Sequence, residues 1–322
     1  MTSSSPAAQA KPHPFWLYAL ILLALVAPPH LLGLDRFATI DEPWWVISGS
    51  NFYYAITHGD FANTIYDYHP AVTTTWVVTG GMLATFPQYR GFGQGYFDVR
   101  KPNFDEFMQQ HGKETRDLLR NSRLIQSLLL IGLAVLLFFL LQKLLPPGAA
   151  LTAVVLAFDA PFFLGHSRLL NHEGMLTMFM LVSLVSMFVF LRVERRPVYL
   201  LLSGAAFGLA QLTKSSSIAL AAVIGVMLLL DLAGSRKTKP FRSGILDLAK
   251  TLAIWLGSAA LVYVLVWPGM WVAPGRMLYQ VYGNAFSYAF QGARLDVTQQ
   301  LQPESFSLDT GLGGVPMYLR LL

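Results

Sequence analysis

The sequence predicts an all-α membrane protein, a multi-pass helical bundle of about seven transmembrane helices with a long outer first loop carrying interfacial helices. Three observations predict it. The 322 residues are 54% hydrophobic and only 13% charged, with a mean hydropathy of +0.48; soluble domains carry roughly 25% charged residues. The apolar residues gather in windows close to the ~20 residues that cross a bilayer. The Lys and Arg residues fall in short clusters between those windows, as membrane orientation requires. The net charge of +5 therefore does not point to nucleic acid. With no cysteine, the chain has no disulfides, thiolate metal sites or Cys nucleophiles.

Residues 1–14, rich in Ser, Pro and Ala, read as a disordered cytoplasmic tail. The apolar stretch after Lys11 is longer than a signal-peptide core, and Pro28-Pro29 follows its best small-residue site, so an uncleaved first span is expected. Seven spans are predicted, over 15–34, 124–142, 149–166, 174–191, 198–213, 216–233 and 249–267. The Thr-rich stretch 71–86, with Gly80-Gly81, is short and reads as a re-entrant or interfacial helix. If it does not span, Lys143, the Arg192/Arg195/Arg196 cluster and Arg236-Lys237-Lys239-Arg242 all share the side of the N-terminus. The cost of that choice is an outer 87–123 region with seven Lys/Arg against five Asp/Glu. Long loops translocate largely regardless of charge, so the short clusters decide. A module over 15–267 with an outer loop over 35–123 follows. Residues 268–322 form an outer segment, and Val315–Leu322 resembles the start of a further apolar run in a longer chain.

The outer loop opens with Thr39-Ile40-Asp41-Glu42-Pro43-Trp44-Trp45. Pro43 suits a first helical turn and Gly59 a stop, so 43–57 is predicted to be a helix lying at the membrane surface. The adjacent carboxylates Asp41 and Glu42 can serve as general base or metal ligand, since close like charges push proton affinities apart. Helix capping and loop hydration are the plain alternative. His69, beside Asp67, Tyr66 and Tyr68, stands at the membrane edge, where it could meet a phosphate or a metal. Arg168, His172 and Glu173 crowd a short turn between apolar spans, a costly place for ionisable groups. Arg168 offers a planar fork for phosphate. Lys214, among Thr213, Ser215, Ser216 and Ser217 at another outer turn, suits an anion, though a snorkelling Lys reads the same way.

Together these features resemble the GT-C glycosyltransferases, above all the protein O-mannosyltransferases and the lipid A aminoarabinose transferase. The shared pattern is Asp-Glu opening the first outer loop, Arg-x4-acid in the second and Leu-Thr-Lys in the third, and it covers about residues 15–235. The resemblance implies transfer of a sugar from a polyprenyl-phosphate carrier to an acceptor on the outer face of the cell membrane, with inversion. Asp41 then matches the family's loop acid, with Glu42 its partner, and Glu173 stands where the family has Asp. His69 takes the place of a Lys thought to touch carrier phosphate, and Lys214 matches the Thr-Lys-Gly lysine, with Ser215 in place of Gly. His172 and Arg168 join the substrate-binding set. Tyr68 replaces a metal-binding Glu, which leaves a divalent cation open as a cofactor. The acceptor, whether protein, lipid or glycan, is open too. A transporter or lipid flippase, or an inactive GT-C-like scaffold subunit, is the rival reading; a transporter would carry polar groups near mid-membrane.

Overall fold

The computed structural model describes residues 15–66, 69–92, 95–99, 103–235 and 240–291, and among these every regular element is helical. The tail 1–14, Asp67, Tyr68, the Arg236–Lys239 cluster and the stretch after Gln291 lie outside the described residues. The major helices are α1 (Phe15–Leu31), α2 (Glu42–Thr57), α3 (Val72–Thr85), α4 (Asn103–Gln110), α5 (Thr115–Leu141), α6 (Pro147–Phe158), α7 (Pro161–Ser167), α8 (Glu173–Arg192), α9 (Pro197–Thr213), α10 (Ala219–Ser235) and α11 (Phe241–Val266). Three short helices follow: α12 (Gly269–Val272), α13 (Pro274–Leu278) and α14 (Asn284–Gln291).

Each of the seven apolar windows is helical, but they are not equivalent. Thr115–Leu141, Glu173–Arg192, Ser215–Ser235 and Phe241–Val266 are long and apolar enough to cross a membrane. Trp16–Leu31 and Pro197–Thr213 are apolar but shorter. The window at 149–166 is broken into α6 and α7, bent by 64°. Pro161 explains the break, because it lacks an amide donor and disfavours helical backbone in the residue before it. Asp159 sits at that corner as the C-cap of α6.

One expectation for the first loop needs correction. α2 does not lie on a surface. Trp45 through Tyr53 are all buried, and the helix packs along α3. Its apolar and small residues occupy every side, so it has no polar face to turn to water. α3 is likewise enclosed, between α2 and α5, with Thr73, Thr74, Thr75 and Thr79 buried. At 14 residues it is about 21 Å long, short of the ~30 Å hydrocarbon core. Two of these threonines return hydroxyl bonds within the helix, Thr75 to Val72 O and Thr79 to Thr75 O. Asn51 on α2 then ties down the later loop, its amide bonding both the carbonyl and the N–H of Phe97.

Three apolar clusters hold the bundle. One joins α1, α2, α3, α5, α6 and α8, a second joins α8 to α11, and a third gathers Phe52, Val72, Leu212, Trp267 and Met277 beneath the first loop. α9 and α11 approach closely because Gly204 and Gly208 face the partner backbone. A Cβ on Gly204 would lie 2.4 Å from Trp255 O, and one on Gly208 2.5 Å from Ala259 O. Small residues one turn apart are a recurrent means of close helix approach in lipid. Gly204→Ala is expected to lower stability by about 1–3 kcal/mol through overpacking. The thermal unfolding midpoint in detergent would show it; an unchanged midpoint would mean that α11 simply moves aside.

Candidate active site

The two carboxylates that open the first loop go separate ways. Glu42 is 1% exposed and Asp41 is on the surface. Successive helical residues point about 100° apart, so a helix starting here must turn one inward and the other outward. Glu42 Oε1 accepts from Arg123 Nε at 2.7 Å and from the Leu170 N–H at 2.7 Å. Oε2 accepts from Arg123 Nη2 at 2.6 Å, the Thr39 N–H at 2.7 Å and the Thr39 hydroxyl at 3.0 Å. Arg123 spends its other donors on the Leu34 and Phe37 carbonyls. Burial alone would raise the Glu42 carboxyl, but the Arg123 fork and the Thr39 and Leu170 N–H groups outweigh it and hold it below the ordinary value. Glu42 thus pins the first loop, α5 and the α7–α8 turn together, and has no lone pair left for a substrate proton.

Arg123 escaped the reading of the sequence because it falls at the edge of the apolar run that begins at Leu124. α5 starts two turns earlier than that run, at Thr115. The available signal was a cation at a hydrocarbon boundary, which demands a partner.

The second group assembles from the start of α8, the end of α9 and the loop before α3. Lys214 Nζ donates to Glu173 Oε1 at 2.6 Å, and His172 Nε2 lies 3.2 Å from the same oxygen. The His172 ring is buried, edge-on to Trp45 of α2 at 5.1 Å and beside the His69 ring at 5.1 Å. Glu173 remains 44% exposed, so the cluster is open on one side. Asn171 Oδ1 accepts the Glu173 N–H and fixes the start of α8. Ala71, at a positive φ of 45°, turns the chain from His69-Pro70 into α3, a strained backbone for a residue with a Cβ. Asp41 stands one turn before Trp45, and its carbonyl accepts the Trp45 N–H.

Arg168 is in the same turn as Glu173 but faces the end of α1. Its guanidinium donates to the Leu32 carbonyl, and with Arg36, Arg123, Gly33 and Phe37 it lines a separate cavity of about 400 Å³. Of the seven site residues expected from the sequence, the structure brings His69, His172, Glu173 and Lys214 together. It leaves Asp41 exposed at the start of α2, buries Glu42 as a pin and turns Arg168 to one side. Among the described residues no group of three or more His, Asp or Glu side chains is arranged to hold a metal ion.

Comparison with known proteins bears on the family and the fold. Residues 116–267 match the family model described as dolichyl-phosphate-mannose-protein mannosyltransferase. No curated protein sequence matches the chain. A solved structure, the S. cerevisiae protein O-mannosyltransferase Pmt1-Pmt2 complex bound to the sugar donor, superposes with a TM-score of 0.59 at 18% identity. The match takes in 80% of this chain and 34% of that one, so this chain spans about a third of the relative's length. At that identity the likeness is one of fold.

Proposed function

We infer, for a chain that is GT-C in fold and matches the mannosyltransferase family over 116–267, that it is the membrane-embedded module of a glycosyltransferase using a lipid-linked sugar. The donor in this reading is a mannosyl group on a polyprenyl phosphate, and the acceptor is a protein hydroxyl. The observation that carries it is the meeting of Lys214, His172, His69 and Glu173 at one end of the bundle. At the opposite end, among the described residues, Lys143 pairs with Glu194 and Arg195 with Asp231. The first end is taken as the outer face of the cell membrane, with the N-terminus cytoplasmic.

The chemistry is a single displacement. The acceptor hydroxyl attacks the anomeric carbon from the side opposite the phosphate and passes its proton to the Asp41 carboxylate. The bond between that carbon and the phosphate oxygen breaks, with inversion, and the lipid phosphate leaves with the electron pair. Lys214 and the two imidazoles stand where a departing phosphate needs cations and donors. Glu173 holds the ammonium in place beforehand and shares it once the phosphate arrives. Arg168 and Arg36 line the separate cavity beside the end of α1. Glu42 positions Asp41 and takes no proton.

Lys214→Ala is expected to lower transfer by roughly 10²–10³-fold, the usual cost of losing one donor to a developing anion. Glu173→Gln is expected to cost less, about tenfold, since it loosens the ammonium without removing it. The assay is transfer of radiolabelled mannose from polyprenyl phosphate to a Ser/Thr peptide in proteoliposomes. Wild-type activity in Lys214→Ala would remove the site as drawn. Absence of transfer by the wild-type chain with any polyprenyl-phosphate sugar would favour the scaffold reading.

A further inference from the structure

Lys214 is held by residues that the chemistry above does not use. α9 ends at Thr213, and Lys214 adopts an extended backbone (φ −156°, ψ 130°) before the tight turn Ser215–Ile218. Its carbonyl accepts from the Ser217 hydroxyl at 2.8 Å and from the Ser217 N–H at 3.1 Å. The Ser217 oxygen accepts from Gln211 Nε2 at 2.6 Å, and Gln211 Oε1 accepts from the Tyr282 hydroxyl at 2.8 Å. On the neighbouring residue, the Thr213 hydroxyl donates to Leu209 O at 2.7 Å and so accepts from Thr73 at 2.9 Å.

The chain of bonds has only one possible sense. A carbonyl can only accept, so the proton of Ser217 is committed to Lys214. The serine oxygen must then accept, and only the amide nitrogen of Gln211 can donate to it. That orientation turns the Gln211 oxygen toward Tyr282, whose hydroxyl has to donate. Gln211 is 4% exposed and Ser217 1%, so removing any member leaves a buried polar atom without a partner. The far end of the relay, Tyr282, lies in the π-helical turn Tyr279–Gly283, beyond the residues 116–267 that match the family model. Trp267 ties the chain leading to that turn onto the first loop, its indole N–H donating to Thr64.

We propose that Tyr282 is a positioning residue for Lys214, and that the turn Tyr279–Gly283 sets the place of the ammonium through Gln211 and Ser217. The consequence for transfer rests on the phosphate role given to Lys214 above; the positioning itself does not. A segment outside the matched family region thereby controls the group meant to meet the carrier.

The test uses the whole chain in detergent micelles, with Tyr282→Phe, Ser217→Ala, Ser217→Thr and, as a control in the same region, Trp271→Phe. Trace acetic anhydride labelling followed by mass spectrometry reads the reactivity of the Lys214 amine against the other lysines. Tyr282→Phe and Ser217→Ala are expected to raise it about fivefold, the measure of one lost hydrogen bond. Ser217→Thr, which keeps the hydroxyl, and Trp271→Phe are expected to match wild type. In the transfer assay the two disruptive variants should lose about fivefold in kcat. Unchanged Lys214 labelling in both Tyr282→Phe and Ser217→Ala overturns the proposal, even with the transfer reaction intact. Raised labelling in a protein that transfers no sugar would instead uphold the positioning and remove the function inferred for the site.

Discussion

Asp41→Asn is expected to abolish sugar transfer, by roughly 10²–10⁴-fold, while leaving the melting temperature of the protein unchanged. The asymmetry follows from where the side chain sits. Asp41 is exposed, and its carboxylate makes no capping bond at the start of α2, so an isosteric amide disturbs no packing and strands no partner. What the amide cannot do is accept the proton of an attacking hydroxyl. Neighbouring Glu42 cannot substitute, because five donors already occupy its two oxygens. Transfer in proteoliposomes and thermal unfolding, measured on the same preparation, check both halves. Retained turnover in Asp41→Asn would move the base elsewhere, with Glu173 the next candidate because it stays partly exposed.

Glu42→Gln and Arg123→Leu are expected to do the opposite, costing about 3–5 kcal/mol of stability each, because either leaves a buried charge without its counter-ion. Arg123→Leu should be the worse, since the Leu34 and Phe37 carbonyls also lose their donor. Activity should fall only as far as the folded fraction falls, plus the loosening of Asp41. The pair also gives the protein an acid limit. The Glu42 carboxyl titrates below its ordinary value when folded, so its contribution is complete above the unfolded carboxylate range. It is lost as pH falls through the lower, folded value. Unfolding midpoints followed downward from neutral pH should therefore decline in the wild type and decline less steeply in Glu42→Gln. Parallel curves would show that other carboxylates set the acid limit.

Much of the architecture was legible in the chain itself. Seven apolar windows became helices because lipid leaves a backbone no other way to satisfy its donors and acceptors. The basic clusters and the Pro and Gly boundaries of α2 were equally local signals. Two features were not. α2 looked interfacial because aromatics favour that depth, yet it is enclosed by protein, as is the short α3. Neither the enclosing helices nor the hydroxyl bonds within α3 can be read from a hydropathy window. The break at Asp159 was visible as Pro161, but its 64° angle depends on what α7 packs against.

For the site, the sequence by itself singled out the candidate residues: an Asp-Glu pair at the start of a loop, His69, the crowded 168–173 turn and Lys214. Residue type and membrane-edge position are enough for that, since ionisable groups beside hydrocarbon are costly to keep without a use. Only the tertiary structure decided what each does. It sent Glu42 inward to Arg123 and left Asp41 outside, paired Glu173 with Lys214, turned Arg168 toward α1, and tied Lys214 to Tyr282 by a relay spanning 71 residues between Tyr282 and Gln211. The reason is physical: charge and hydroxyl content are properties of a residue, whereas burial and hydrogen-bond direction are properties of the neighbours that folding supplies.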